Sequence, residues 1–326
     1  MLLLLLAGAA LSWQAWRQYE AFLADPLELP PDGYVFMLEP GSNGKSIISE
    51  LTARGFTRQG WHWKLLMRLE PAVYRAGEYH LPAGLTPRKL LQKLSSGEVV
   101  QYRFTLVEGW TFRQLVAALT ADEVLEHELD LEQPYLWDPG TLFEGMQHPE
   151  GWFLPETYQF TRGHSDRDIL ERAHVAMAIA LEEAWASRDV GLPMNSPYEL
   201  LVLASIIEKE TALEEERGRI AGVFVRRLQK RMRLQTDPTV IYGMGESWDG
   251  DIKRSDLKTD TPYNTYTRHG LPPTPIAMPG RASLLAAAHP EAGEELFFVA
   301  NGNGGHTFSK TLAEHQAAVD KLLGRN

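Results

Sequence analysis

One glutamate in this chain stands in surroundings that suit proton transfer. Ser196-Pro197-Tyr198-Glu199 opens a helix: serine caps, proline fits the first turn, and glutamate three residues after the serine completes a capping box. The helix continues Leu200-Leu-Val-Leu-Ala-Ser-Ile-Ile-Glu208-Lys-Glu210-Thr211. At about 100° per residue, Glu208 falls on the side of Leu201 and Ala204, inside the apolar face. Lys209 turns to solvent, and Glu210 lies at the edge of the apolar arc. Burial disfavours the charged form of a carboxyl, and the negative end of the helix dipole acts in the same sense. An acid kept protonated near neutral pH is what protonating a glycosidic oxygen demands. A buried structural glutamate paired with Arg217, Arg219, Arg226 or Arg227 fits the helix wheel equally well.

Other chemistries find less support. The chain of 326 residues has no cysteine, which removes disulfide frameworks, zinc ribbons, Fe–S clusters and thiol nucleophiles together. Its net charge of −11 argues against a phosphate-backbone binder, so no nucleic acid partner is expected. Gly41-Ser-Asn-Gly44-Lys45-Ser46 invites a phosphate-loop reading, but Glu39 stands where that motif needs its first glycine. No H-E-x-x-H occurs and the ten histidines lack ligand spacing, so neither a metal nor a cofactor is expected. The G-x-S-x-G elbow is absent as well.

The elements that must hold Glu208 follow from patterning. Met1 to Leu11 reads MLLLLLAGAAL, and Trp13 and Trp16 follow; this suits an amino-terminal membrane anchor over residues 1–24, slightly short for a span, with a cleaved signal sequence as the alternative. DPLELPPD (residues 25–32) reads as a linker. A strand, a glycine turn, a capping Ser or Thr and a helix then recur three times, from Tyr34, from Glu78 and from Gln101. The first two repeats fit a small module of two strands and two helices over residues 25–100. From Asp122 to Ala212 the pattern is mostly helical. Glu295 to Ala300 reads as a buried strand, residues 301–305 as a loop, and Thr311 to Leu323 as a last amphipathic helix. The class is α+β with helix in excess.

Several stretches together resemble one family, the YceG-like endolytic murein (peptidoglycan) transglycosylases. They are Glu108-Gly-Trp-Thr, Glu150-Gly-Trp-Phe-Leu-Pro-Glu-Thr-Tyr158, Leu203-Ala-Ser-Ile-Ile-Glu-Lys-Glu-Thr211 and Val223-Phe-Val-Arg-Arg-Leu228. Met232 to Gly243, Pro262-Tyr-Asn-Thr-Tyr266, Gly270 to Gly280 and Gly304-Gly-His-Thr-Phe308 extend the resemblance over nearly the whole chain. Two departures are Thr274, where glycine is usual, and Met278, where asparagine is usual. The resemblance implies a protein of the bacterial inner membrane with one amino-terminal span, a LysM-like module and a periplasmic catalytic domain over residues 101–326. It implies cleavage of the β-1,4 bond between N-acetylmuramic acid and N-acetylglucosamine within glycan strands, leaving 1,6-anhydro-muramoyl ends. It places the catalytic glutamate on Glu208, and it implies penicillin-binding proteins and the elongation machinery as partners.

The resemblance and the side-chain chemistry together nominate Gln235, Asp237, Tyr263, Asn264 and Tyr266 as cleft residues, since amides and phenols suit sugar hydroxyls and acetamido groups. Asp237-Pro238 could instead cap a helix, and Tyr263-Asn264 could shape a turn. Glu156 is the nominated second acid, with a structural ion pair as its other role. Two further readings stand beside the transglycosylase: a hydrolytic muramidase pairing Glu208 with Glu156 or Asp237, and a non-catalytic glycan-binding scaffold of the cell-wall machinery.

Overall fold

The computed structural model describes residues 1–129 and 148–325. The chain divides into two compact units: Met1–Arg103 with Gln159–His164, and Phe104–Tyr158 with Ser165–Asn326. The first holds helix α1 (Leu2–Ala24), strand β1 (Tyr34–Leu38), α2 (Gly44–Ala53), α3 (Trp61–Leu69), β2 (Gly77–Leu81) and α4 (Pro87–Ser96). β1 and β2 pair antiparallel with Phe36 opposite Tyr79. Side chains alternate across a strand, which puts Phe36, Leu38, Tyr79 and Leu81 into one core with Ile47, Leu51, Trp63, Leu66, Leu90 and Leu94. The first two sequence repeats thus form one β-α-α-β unit followed by a helix. In the phosphate-loop look-alike, the Asn43 side chain accepts the Lys45 and Ser46 N–H groups, so the amides that would cradle a phosphate are already used.

No helix among the described residues is long and apolar enough to cross a membrane. Where a span over residues 1–24 is expected, α1 carries two kinds of surface. Leu2 to Leu6 are exposed, but the later turns carry Arg17 and Glu20 and dock into the unit's core. Tyr19 is 2% exposed, and Phe22 packs edge-on against Trp63 with ring centroids 5.1 Å apart.

The second unit takes up the chain within β3 (Tyr102–Thr105) and continues with α5 (Phe112–Thr120), β4 (Thr157–Phe160), α6 (Asp166–Ser187), α7 (Pro197–Glu210) and α8 (Glu214–Gln229). Then come α9 (Asp237–Met244), α10 (Arg281–Ala288), β5 (Phe297–Ala300), β6 (His306–Ser309) and α11 (Leu312–Leu322). The third sequence repeat supplies β3 and α5, and β3 pairs with β4 rather than with β1 or β2. The helical expectation for residues 130–147 lies outside the described residues.

α7 is the axis of this unit. Leu200, Leu201, Leu203, Ala204, Ile206 and Ile207 are all sealed from solvent, packed with Leu181 of α6, Ile220 and Phe224 of α8, and Leu284, Ala287 and Ala288 of α10. A helix that is apolar on every side belongs inside a core. Its one buried hydroxyl is satisfied, since Ser205 donates to the Val202 carbonyl and accepts the Ile276 N–H. At its start Ser196 accepts the Glu199 N–H. The Glu199 carboxylate instead turns to Asn195, accepting its N–H at 2.7 Å, so only half of the expected capping box forms. The expected buried strand at residues 295–300 becomes β5, whose side chains are half-buried to exposed; a two-stranded hairpin with β6 has one face left to solvent.

Candidate active site

Glu208 lies in the last turn of α7, where the packed helix reaches the surface: Ile207 before it is buried, Glu208 is half-buried, and Lys209 is exposed. The Gly280 N–H donates to Glu208 Oε2 at 3.0 Å, and the Ser283 hydroxyl donates to the same oxygen at 2.7 Å. Gly280 is the N-cap of α10 and Ser283 is in its first turn. The carboxyl of one helix end therefore meets the amino end of another, where unpaired N–H groups and a positive dipole favour an acceptor. Oε1 accepts no hydrogen bond from the described residues.

None of the four arginines that could have neutralised Glu208 bonds to it. Arg219 and Arg226 pair with Glu295, at 2.8 Å and 3.5 Å. Arg227 spends its guanidinium on the carbonyls of Leu296, Arg233 and Leu234. Arg217 is 9% exposed, and its Nε has no partner among the described residues.

A turn from the far end of the sequence closes over this helix junction. The Gly109 N–H donates to the Met278 carbonyl at 2.9 Å, and the Met278 N–H donates to the Trp110 carbonyl at 2.7 Å. Lys209 Nζ donates to the Gly109 carbonyl at 3.1 Å. Met278 thus ties the turn through its backbone, while its side chain is fully buried. The turn carries Glu108, whose carboxylate lies against Gly280 where a Cβ would otherwise project. Glu108 is an exposed residue, yet desolvation, and then the charge of Glu208, push its carboxyl above its ordinary value; the Arg217 charge opposes this.

The nominated cleft residues fall into separate groups. Glu210 is half-buried and accepts the Thr236 hydroxyl. Burial, then the Asp237 charge, push its carboxyl up to about 7 against the Thr236 bond and the charges of His306 and Arg227. Asp237 accepts the Tyr266 hydroxyl at 2.6 Å. Gln235 stands beside them with φ of 51° and donates its N–H to the Thr265 carbonyl. Tyr263 shares a hydrogen bond with Thr274 at 3.0 Å and packs edge-on against Tyr242. Asn264 is fully buried; its amide donates to the Asp256, Leu257 and Thr259 carbonyls and its oxygen accepts the Tyr266 N–H, so it shapes the loop. Glu156 pairs with Arg281 at 3.4 Å, one residue from Gly280.

Three residues at Glu208 escaped the sequence reading of the site: Glu108, Gly280 and Ser283. Glu108 ends a strand at a glycine turn, and Gly280 with Ser283 starts a helix after a proline. Those local patterns mark turns and caps, and nothing in them points to a partner 72 to 100 residues away. Cavities of about 430 Å³, lined by Trp16, Tyr19 and Arg88 among others, and of about 460 Å³, lined by Leu228, Arg231, Met232, His269 and Gly270, do not include Glu208.

The YceG-like family model matches residues 36–321, and the chain belongs to this family. Among its relatives, the endolytic murein transglycosylase of Bacillus subtilis (strain 168) is 32% identical over 324 residues, covering 94% of this chain and 89% of the relative. That of Streptococcus pneumoniae (serotype 2, strain D39) is 30% identical over 179 residues, covering 51% of this chain and 32% of the relative. The crystal structure of a YceG-like protein from Listeria monocytogenes superposes with a TM-score of 0.55 at 28% identity, covering 88% of this chain and 99% of that one.

Proposed function

We propose that this chain is an endolytic murein transglycosylase, cleaving the β-1,4 bond between N-acetylmuramic acid and N-acetylglucosamine within glycan strands. The observation that carries the reading is the state of Glu208: one oxygen fixed by Gly280 and Ser283, the other without a partner, and no cation paired with either. Protonated on Oε1, Glu208 gives its proton to the glycosidic oxygen, and the bond from that oxygen to the muramoyl C1 breaks. The N-acetylglucosamine leaves as an alcohol. The muramoyl 6-hydroxyl oxygen then bonds to C1, and its proton passes to the Glu208 carboxylate, which regains its starting form. The attacking oxygen is already tethered to the sugar, so no water is consumed. The Gly280 and Ser283 donors hold Oε2 in place through both proton transfers.

The remaining parts of the chain fit this role. The β1-α2-α3-β2 unit suits a LysM-like module that grips glycan, with Trp61 exposed on α3. The exposed leucines at the start of α1 suit seating in a lipid surface, which would keep the catalytic unit beside the wall on the outer side of the inner membrane. Digestion of purified sacculi followed by mass spectrometry tests the function. Anhydro-muramoyl ends, lighter by one water than reducing ends, are expected. Reducing ends would point to a muramidase, and unchanged strands to a glycan-binding scaffold.

A further inference from the structure

Glu108 is a second carboxyl at the same junction. It reaches Gly280 from the side of the Cα, while Glu208 reaches the same residue through its N–H. The two acids come from places a hundred positions apart in sequence and flank one glycine. A Cβ at Gly280 would take the space that the Glu108 carboxylate fills, so a residue without a side chain is what admits both.

The Glu108 carboxylate accepts no hydrogen bond from the described residues. A structural carboxylate is ordinarily consumed by the fold, as Glu156 is by Arg281, Glu295 by Arg219 and Arg226, and Glu216 by His306 at 2.6 Å. Glu108 is held in place by its turn, which is tied to Lys209 and Met278, and yet its charged end is left unspent. Arg217 is buried with its Nε unpartnered among the described residues, and its charge opposes the upward push on the Glu108 carboxyl. Two acids therefore meet at Gly280, beside the end of α7.

We propose that Glu108 is a second catalytic carboxylate, which stands ionised beside the muramoyl residue and stabilises the positive charge that develops at its anomeric carbon. Glu108 exchanges no proton with the sugar; Glu208 carries the single proton out and back. This role rests on the transglycosylase reading above. It differs from that of Glu156, whose carboxylate is already paired.

The test is steady-state cleavage of isolated glycan strands by the full chain, comparing wild type with Glu108→Gln, Glu108→Asp and Glu208→Gln, with thermal melting of each. Glu108→Gln keeps the size of the side chain and removes only its charge. A fall in kcat of about 100-fold with KM within about threefold of wild type is expected. Glu108→Asp, which restores charge at a shorter reach, is expected to recover part of that loss. A Glu108→Gln enzyme within about twofold of wild type in kcat would overturn the proposal while leaving Glu208 as the acid. So would a loss that appears only together with a lowered melting temperature and is equal in the Asp variant. If wild type itself forms no anhydro ends, the transglycosylase reading fails and takes this role with it.

Discussion

The Ser283 hydroxyl donates to Glu208 Oε2 at 2.7 Å from inside a fully buried side chain, so the first turn of one helix sets the carboxyl of another. Bonds to a carboxylate are among the stronger ones in proteins. Replacing Ser283 with alanine is expected to lower kcat by about 10-fold, the size of one lost bond to a charged group. KM and the melting temperature should change little. Kinetics on isolated strands, beside a melting curve, checks this.

Gly280 has φ of −75°, an ordinary value for any residue, so its glycine identity answers to space and not to backbone strain. Alanine there would meet the carboxyl end of Glu108, which is flexible enough to swing away. The expected outcome for Gly280→Ala is a folded protein, with stability within about 1 kcal/mol of wild type, whose turnover is reduced because Glu108 has moved. Urea unfolding and a cleavage assay on one preparation read both parts.

Two carboxyls outside the Glu208 junction, Glu150 and Glu210, predict how stability varies with pH. Burial pushes Glu150 up to about 8, against the bonds it accepts from Tyr242 and Phe112. Glu210 is pushed up to about 7. Each holds its proton more tightly folded than unfolded, so the stability it contributes is full below the ordinary carboxyl range. That stability is lost as pH rises through about 7 and 8. Urea unfolding at pH 5.5, 7 and 8.5 (roughly spanning that range) should therefore show declining stability. Glu150→Gln should flatten the decline by an amount on the order of a few kcal/mol.

Arg227 is a structural cation. Its three carbonyl acceptors on Leu296, Arg233 and Leu234 tie α8 to the approach to β5 and to the segment before α9. Lysine cannot reach all three with one ammonium. Arg227→Lys is expected to cost about 2 kcal/mol in denaturant unfolding and to leave KM for glycan unchanged.

Much of the fold was legible because its signals are local. Ser196 and Pro197 mark where α7 begins, and the run from Leu200 to Ile207, apolar but for Ser205, announces a buried helix with Glu208 at its exit. The strand from Tyr34 and the capping Thr111 were equally readable. Failures came where distant segments decide. The leucines that open α1 gave no sign that Tyr19, a few turns later, is buried in a protein core and that Phe22 packs against it. Asn264 has the right chemistry for sugar, but three carbonyls of its own loop use its amide. Glu108 and Ser283 are ordinary turn and helix-start residues until the chain brings both to Glu208.

The most direct measurement is muropeptide analysis of sacculi treated with wild type and with Glu208→Gln, both shown to be folded by circular dichroism. The account predicts that anhydro ends accumulate with wild type and are absent with Glu208→Gln, while Glu210→Gln still forms some. Anhydro ends formed at an undiminished rate by Glu208→Gln would contradict it.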